Sequence, residues 1–220
     1  MAEIDFITEV HKSTPRDYIG RVNEADKSKC AEIALNWDEE YWDGERKYGY
    51  GGYVYDGRWR AVAKKMINHY DLSKHARILD VGCGKGFLLY EFTQLLPNCE
   101  VVGVDISSYA ITHAKDQIKG FLQISGAENL PFDDGSFDLV YSINTLHNLL
   151  IPEMFSALAE ISRVSREKKY LTVEAYRNER EKMNLMYWQL TCRAFHTPTE
   201  WNWIFKRADY DGDYGFIYFE

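Results

Sequence analysis

Ile78-Leu79-Asp80-Val81-Gly82-Cys83-Gly84-Lys85-Gly86-Phe87 is the stretch whose reading decides the fold. An apolar run ends in an acid, meets glycine at every second position, and passes into an amphipathic segment. Glycine has no Cβ and reaches positive φ at no steric cost, so such a turn lets other atoms approach the backbone closely. The helix that follows opens with unpaired N–H groups. Glycine spacing alone is a weak signal, because many nucleotide-like ligands use such turns. The dinucleotide fingerprint G-x-G-x-x-G fails here, since Phe87 stands at its third glycine. The pattern is instead D-x-G-x-G-x-G. A carboxylate at the strand tip suits a ligand carrying an ammonium or hydroxyl group and no pyrophosphate.

A second apolar run, Cys99-Glu100-Val101-Val102-Gly103-Val104-Asp105-Ile106-Ser107, follows in register and also ends in an acid. A carboxylate there can accept from both hydroxyls of a ribose, and Ile106 beside it can cover one face of an adenine. Together the two turns describe a site for S-adenosylmethionine. Read alone, Asp105 is equally a solvated strand end; the glycine turn in register favours the ligand.

Residues 76–150 resemble the class I S-adenosylmethionine-dependent methyltransferases, especially the branch of ubiquinone and menaquinone biosynthesis. Leu79 to Gly86 looks like that family's first motif and Val102 to Ser107 like its second. Gly126-Ala127-Glu128-Asn129-Leu130-Pro131-Phe132 and Gly135-Ser136-Phe137-Asp138-Leu139-Val140 look like its third and fourth. The resemblance implies an α/β, Rossmann-like fold: a mostly parallel twisted sheet with helices on both faces. It implies that Asp80, Gly82, Gly84, Gly86, Asp105, Ile106, Ala127, Glu128 and Asn144 hold the cofactor. Gly126 stands where the family often has an acid, so Glu128 or a backbone group must serve the adenine. The family usually ends in an antiparallel hairpin, whereas one clear strand, Tyr214 to Phe219, follows Arg207.

From Ala76 onward the patterning alternates strand and helix, as a parallel sheet requires. Strands are predicted over 77–81, 100–105, 121–124, 137–142 and 169–175, with helices over 86–96, 107–118, 152–164, 179–195 and 199–207. Residues 57–220 form the expected core domain. Residues 1–56 form a cap or lid, ending in an aromatic loop, Tyr41 to Trp59, rich in Tyr, Trp and Gly. Disordered linkers are poor in aromatics, so this loop is expected to be ordered against something. Aromatic faces favour cations, and Tyr50 and Tyr53 flank the glycine pair as substrate contacts. The bland alternative is an aromatic plug packed on the sheet.

Methyl transfer is an in-line displacement dominated by alignment, with one proton to dispose of. Ligands of open α/β sheets lie over the carboxyl ends of the strands. His147, after the fourth strand, and Glu174, at the end of the fifth, are the candidate bases; a locally bonded His and a salt-bridged Glu are the alternatives. Tyr176, Arg177 and Arg193 are candidate acceptor contacts. Arg16, Arg21 and Arg46 are among the arginines that could clamp a phosphate or carboxylate. The expected function is methyl transfer to an O or N atom of a small polar acceptor bearing phosphate or carboxylate, with a sugar-pathway intermediate as one candidate. A scaffold subunit and a nicotinamide oxidoreductase are the rival readings.

Among 220 residues the net charge of −8 argues against nucleic acid. No apolar run reaches membrane-span length, and the opening residues lack a signal-peptide pattern. Cys30, Cys83, Cys99 and Cys192 form no C-x-x-C pair, so reduced thiols in a cytoplasmic protein and no metal are expected. A homodimer is left open.

Overall fold

The computed structural model describes all residues, 1–220. Four short helices come first: α1 (Thr8–Lys12), α2 (Tyr18–Glu24), α3 (Lys27–Ala34) and α4 (Glu39–Trp42). They lead to α5 (Trp59–Tyr70) and then to β1 (Arg77–Val81), α6 (Phe87–Leu95), β2 (Glu100–Asp105), α7 (Ser108–Thr112), α8 (Asp116–Lys119) and β3 (Leu122–Ile124). The second half runs β4 (Phe137–Ile143), α9 (Ile151–Val164), β5 (Ser165–Glu174), α10 (Glu179–Trp188), α11 (Pro198–Arg207) and β6 (Asp213–Ile217). The six strands order as β3-β2-β1-β4-β5-β6 and every pairing is parallel.

Alternate strand residues feed opposite faces of the sheet, as a pleated strand dictates. Ile78, Leu139, Tyr141 and Tyr170 pack with Val62 and Met66 of α5 and Leu88 and Phe92 of α6. Leu79, Val81, Val140, Leu171 and Val173 pack on the other side with Leu158 and Ile161 of α9 and Trp201 and Phe205 of α11. Both faces of the central strands are buried, so these strands read as continuous apolar runs. Thr197-Pro198-Thr199-Glu200 is a capping box that starts α11: Glu200 N–H donates to Thr197 Oγ1 (3.3 Å), and Thr197 N–H donates back to Glu200 Oε2 (2.7 Å).

The antiparallel hairpin implied by the resemblance is absent. One strand, β6, pairs directly and in parallel with β5, Leu171 facing Tyr214. The N-terminus covers its outer edge: Ile4 N–H donates to Tyr214 O (2.7 Å) and Tyr214 N–H to Ala2 O (3.0 Å). Gly215 permits this approach, because a Cβ there would come within 2.6 Å of Ile4 O. Phe6 and Ile7 then enter the core beside Tyr70 and Tyr170.

Two predicted helices are shorter than expected. The one over 107–118 is divided into α7 and α8, with Lys115 in an extended conformation between them. The one over 179–195 stops at Trp188. Tertiary hydrogen bonds hold the segment beyond it: Thr191 Oγ1 donates to Asn148 Oδ1 (2.9 Å), and Arg193 N–H to His147 O (2.8 Å).

Candidate functional site: a cavity at the switch point of the sheet

Strand order reverses between β1 and β4, which opens a crevice above their carboxyl ends. The turn after β1 places Gly82, Gly84 and Gly86 at φ of 83°, 54° and 68°. Each is closed over by a different side chain. A Cβ on Gly82 would collide with Thr145 beyond β4, and one on Gly84 would lie 2.8 Å from the indole of Trp42. One on Gly86 would lie 3.0 Å from Leu122 of β3. Positive φ is costly for any residue with a Cβ, so all three positions favour glycine, and at Gly82 and Gly84 the close side chains demand it again.

The aromatic loop is latched onto this turn. The buried ammonium of Lys85 sits 2.7 Å from both carboxylate oxygens of Asp43 and donates to Tyr53 O at 3.0 Å. Tyr109 donates its hydroxyl to the same carboxylate (3.0 Å). Burial raises the Asp43 carboxyl pKa, but the hydrogen bonds from Lys85, then Tyr109 and the Tyr53 N–H, outweigh it and hold it below its usual range. Trp42 Nε1 donates to Ser107 Oγ at 2.9 Å. Phe87, the residue that breaks the dinucleotide fingerprint, stacks on Tyr53 at 5.0 Å, and Trp42 stacks on Tyr50 at 5.3 Å.

Asp105 ends β2 and accepts from Gly84 N–H at 2.7 Å and Ser107 N–H at 2.8 Å. Burial raises its carboxyl pKa and these backbone donors oppose the rise. A carboxylate accepts about four hydrogen bonds, so capacity remains for a diol. Ile106 beside it is 54% exposed, Ala127 is buried in the core under Leu130, and Glu128 is exposed.

A cavity of about 600 Å³ lies between the glycine turn, the aromatic loop and the segment after α10. Asp80, Gly82, Gly84, Asn144 and Glu174 line it, as do Tyr50 and Tyr53. Asp105, Ile106, Ala127, Glu128 and Gly86 do not; Trp42 forms the wall at that end. Burial pushes the Asp80 carboxyl well above its ordinary value. Asn144, at φ 58°, is pinned by its N–H to Thr172 O (3.0 Å), and its Oδ1 is buried without a partner.

Glu174 is 3% exposed. One oxygen takes a hydrogen bond from Gln189 Nε2, and Oε2 has no partner. Burial raises its pKa to about 8, opposed by Gln189 and by the Arg16 guanidinium. His147 lies beside it and off the cavity lining: its Nδ1 is 3.4 Å from the Glu174 N–H, and its Nε2 is 3.4 Å from Oε2. Burial lowers the His147 pKa to about 3, so the imidazole is neutral at ordinary pH.

The other predicted contacts stand elsewhere. Arg177 is exposed and tied to Glu181 (2.5 Å) and Glu220 (2.8 Å). Arg193 is exposed, and Tyr176 is half-buried under Lys182, 5.2 Å above its ring. None of these three lines the cavity. Trp42, Lys85, Asp43, Ser107 and Gln189 are parts of the site that pattern reading missed. Only Lys85, a charge inside a glycine turn with no local partner, carried a signal that could have marked it.

Comparison with known proteins settles the family. The profile of the methyltransferase domain matches residues 72–209, well over half of the chain. The chain belongs to this methyltransferase-domain family. The ubiquinone/menaquinone biosynthesis C-methyltransferase of Citrifermentans bemidjiense is 32% identical over 117 residues, covering 50% of this chain and 48% of that protein. The malonyl-[acyl-carrier protein] O-methyltransferase of Legionella pneumophila is 36% identical over 75 residues, covering 32% and 26%. The matched region thus spans half or less of these curated relatives. In fold, the domain is similar to the YcgJ protein of Bacillus subtilis, with a TM-score of 0.54 at 24% identity over 66% of each chain. It is also similar to a geranyl diphosphate methyltransferase solved with S-adenosylmethionine, with a TM-score of 0.55 at 15% identity over 68% and 64%. The family's cofactor is S-adenosylmethionine. The glycine turn, the spare acceptor capacity of Asp105 and the orphaned Asn144 Oδ1 in this methyltransferase domain fit that cofactor. No helix is long and apolar enough to cross a membrane.

Proposed function

We propose that this domain transfers a methyl group from S-adenosylmethionine to an oxygen or nitrogen of a small polar acceptor bearing phosphate or carboxylate. The observation that carries the reading is the buried Glu174, which lines the same cavity as Gly82 and Gly84. Bound S-adenosylmethionine supplies an electrophilic methyl carbon on a sulfonium. The Glu174 carboxylate receives the proton released by the acceptor. A pKa near 8 places it close to working pH, where a general base is most effective. That role favours a hydroxyl acceptor over an amine that arrives neutral. Gln189 and His147 hold the carboxyl in place, and His147 is a positioning residue. Asp105 binds the ribose hydroxyls, Asn144 offers its free Oδ1, and Tyr50 and Tyr53 wall the acceptor side.

The cap, residues 1–56, acts as a lid in this proposal, latched to Lys85 in the turn after β1 and to Ser107 in the turn after β2.

S-adenosylhomocysteine is expected to raise the melting temperature, since a ligand of the folded state stabilises it by mass action; NAD is expected to leave it unchanged. A shift with NAD alone would favour the oxidoreductase alternative. Asp105→Ala should weaken S-adenosylhomocysteine binding by about 1–3 kcal/mol, the cost of hydrogen bonds lost from a charged acceptor. Unchanged affinity in a titration would remove Asp105 from the ribose site.

A further inference from the structure

Three guanidiniums surround one indole at the cap end of the cavity. Arg16, Arg21 and Arg46 place their Cζ atoms 5.4, 4.7 and 5.1 Å from the Trp188 ring centroid, and all four residues line the cavity. Their hydrogen-bond partners are neutral. Arg21 donates to Trp188 O (2.9 Å) and Arg46 O (2.7 Å). Arg46 donates from Nη1 to Gly49 O (3.3 Å) and Tyr50 O (2.5 Å). Arg16 donates from Nη1 to His11 O (2.9 Å) and Thr14 O (3.0 Å), and its Nη2 lies 3.1 Å from His11 Nδ1. No carboxylate forms an ion pair with any of the three. This is notable in a chain with 34 acidic and 26 basic residues.

The unused donors are the informative part. Arg16 Nε is buried with no partner. Arg46 spends only Nη1, so its Nε and Nη2 remain free. A guanidinium offers five N–H donors in a planar fork that matches an oxyanion. Burial disfavours the charge on both Arg16 and Arg21, and Arg46 adds to it at each, while Glu174 opposes it at Arg16 and Glu24 at Arg21. Cation–π contact with Trp188 orients the three planes without neutralising them.

We propose that Arg16, Arg21 and Arg46 form an anion subsite that takes the phosphate group of a phosphate-bearing acceptor. This deepens the methyl-transfer reading and rests on it for the acceptor's role, though not for the binding itself. Three forks and no counter-ion suit a dianion better than a single carboxylate. The segment Trp188 to Thr191 connects the two ends: Trp188 seats the arginines, and Gln189 bonds Glu174. The acceptor's phosphate is thereby fixed at one end of the cavity and its nucleophile at the Glu174 end.

The test is a titration of inorganic phosphate, with acetate as control, at constant ionic strength, into the full chain saturated with S-adenosylhomocysteine. Saturable phosphate binding is expected, with acetate much weaker. Arg46→Met and Arg16→Met should each weaken phosphate about tenfold or more, while S-adenosylhomocysteine affinity stays within about twofold. The corresponding Lys variants should recover part of the loss. Should a Met variant fail to fold, phosphate protection of amide exchange in residues 14–21 and 46–50 of the unaltered protein reads the same site. Absence of saturable phosphate binding, binding equal to that of acetate, or binding unchanged by the substitutions overturns the proposal. Titration of phosphate without cofactor separates the two readings: phosphate bound but S-adenosylhomocysteine refused sinks the methyltransferase reading and leaves the anion site standing.

Discussion

Glu174→Gln is expected to cut methyl transfer by about 10²–10⁴-fold at pH 8, the range for losing a positioned general base, with S-adenosylhomocysteine binding retained. The same change should stabilise the fold at alkaline pH. The Glu174 carboxyl is raised to about 8 by burial, against an ordinary 4.5. Below pH 4.5 it is protonated in both folded and unfolded chains and costs nothing. Between 4.5 and about 8 the unfolded chain ionises while the folded one resists, so stability falls as pH rises and levels off beyond. Glutamine removes that fall, which is worth up to about 5 kcal/mol at pH 8 and above. Chemical denaturation of both proteins at pH 5 and pH 8.5 checks the stability half. Full turnover in Glu174→Gln would mean the acceptor needs no base here, as for a neutral amine. A stability gap equal at both pH values would mean that the carboxyl is not held protonated.

Trp42→Ala should cost about 3–5 kcal/mol, the range for deleting a buried tryptophan. It should also loosen the cap without disturbing the sheet. Trp42 is 6% exposed, lies against Gly84, stacks on Tyr50 and donates to Ser107. Its loss leaves the Lys85–Asp43 pair as the main polar latch. Amides of residues 44–57 are expected to exchange faster in the variant, while those of β1 and β4 change only by the global loss of stability. In the unaltered protein S-adenosylhomocysteine should slow exchange in 44–57. If exchange there is fast with and without ligand, and Trp42→Ala leaves it unchanged, the loop is not a lid.

The central parallel sheet was legible because its signals are local. Asp80 to Phe87 and Val104 to Ser107 write the strand ends and the turn directly, and the apolar runs of β1, β4 and β5 follow from burial on both faces. The sheet edge was harder to read. That β6 pairs with β5 in parallel depends on segments about 40 residues apart, and that Ala2–Ile4 lie against it depends on segments some 200 residues apart meeting at Gly215. The end of α10 was likewise invisible. Residues 189–195 keep an apolar pattern, and what unwinds them is a set of long-range bonds to Asn148, His147 and Glu174.

For the site, sequence alone determined the glycine turn, the two acids at the strand tips and the presence of Glu174 at the end of β5, since each follows from strand length and side-chain type. Tertiary structure alone decided which groups share a cavity. It placed Glu174 beside Gln189 and set His147 behind it. It left Arg177 on a surface ion pair and gathered Arg16, Arg21 and Arg46 around Trp188. The reason is physical. Backbone conformation answers to neighbours along the chain, whereas desolvation and unpaired charge answer to neighbours in space.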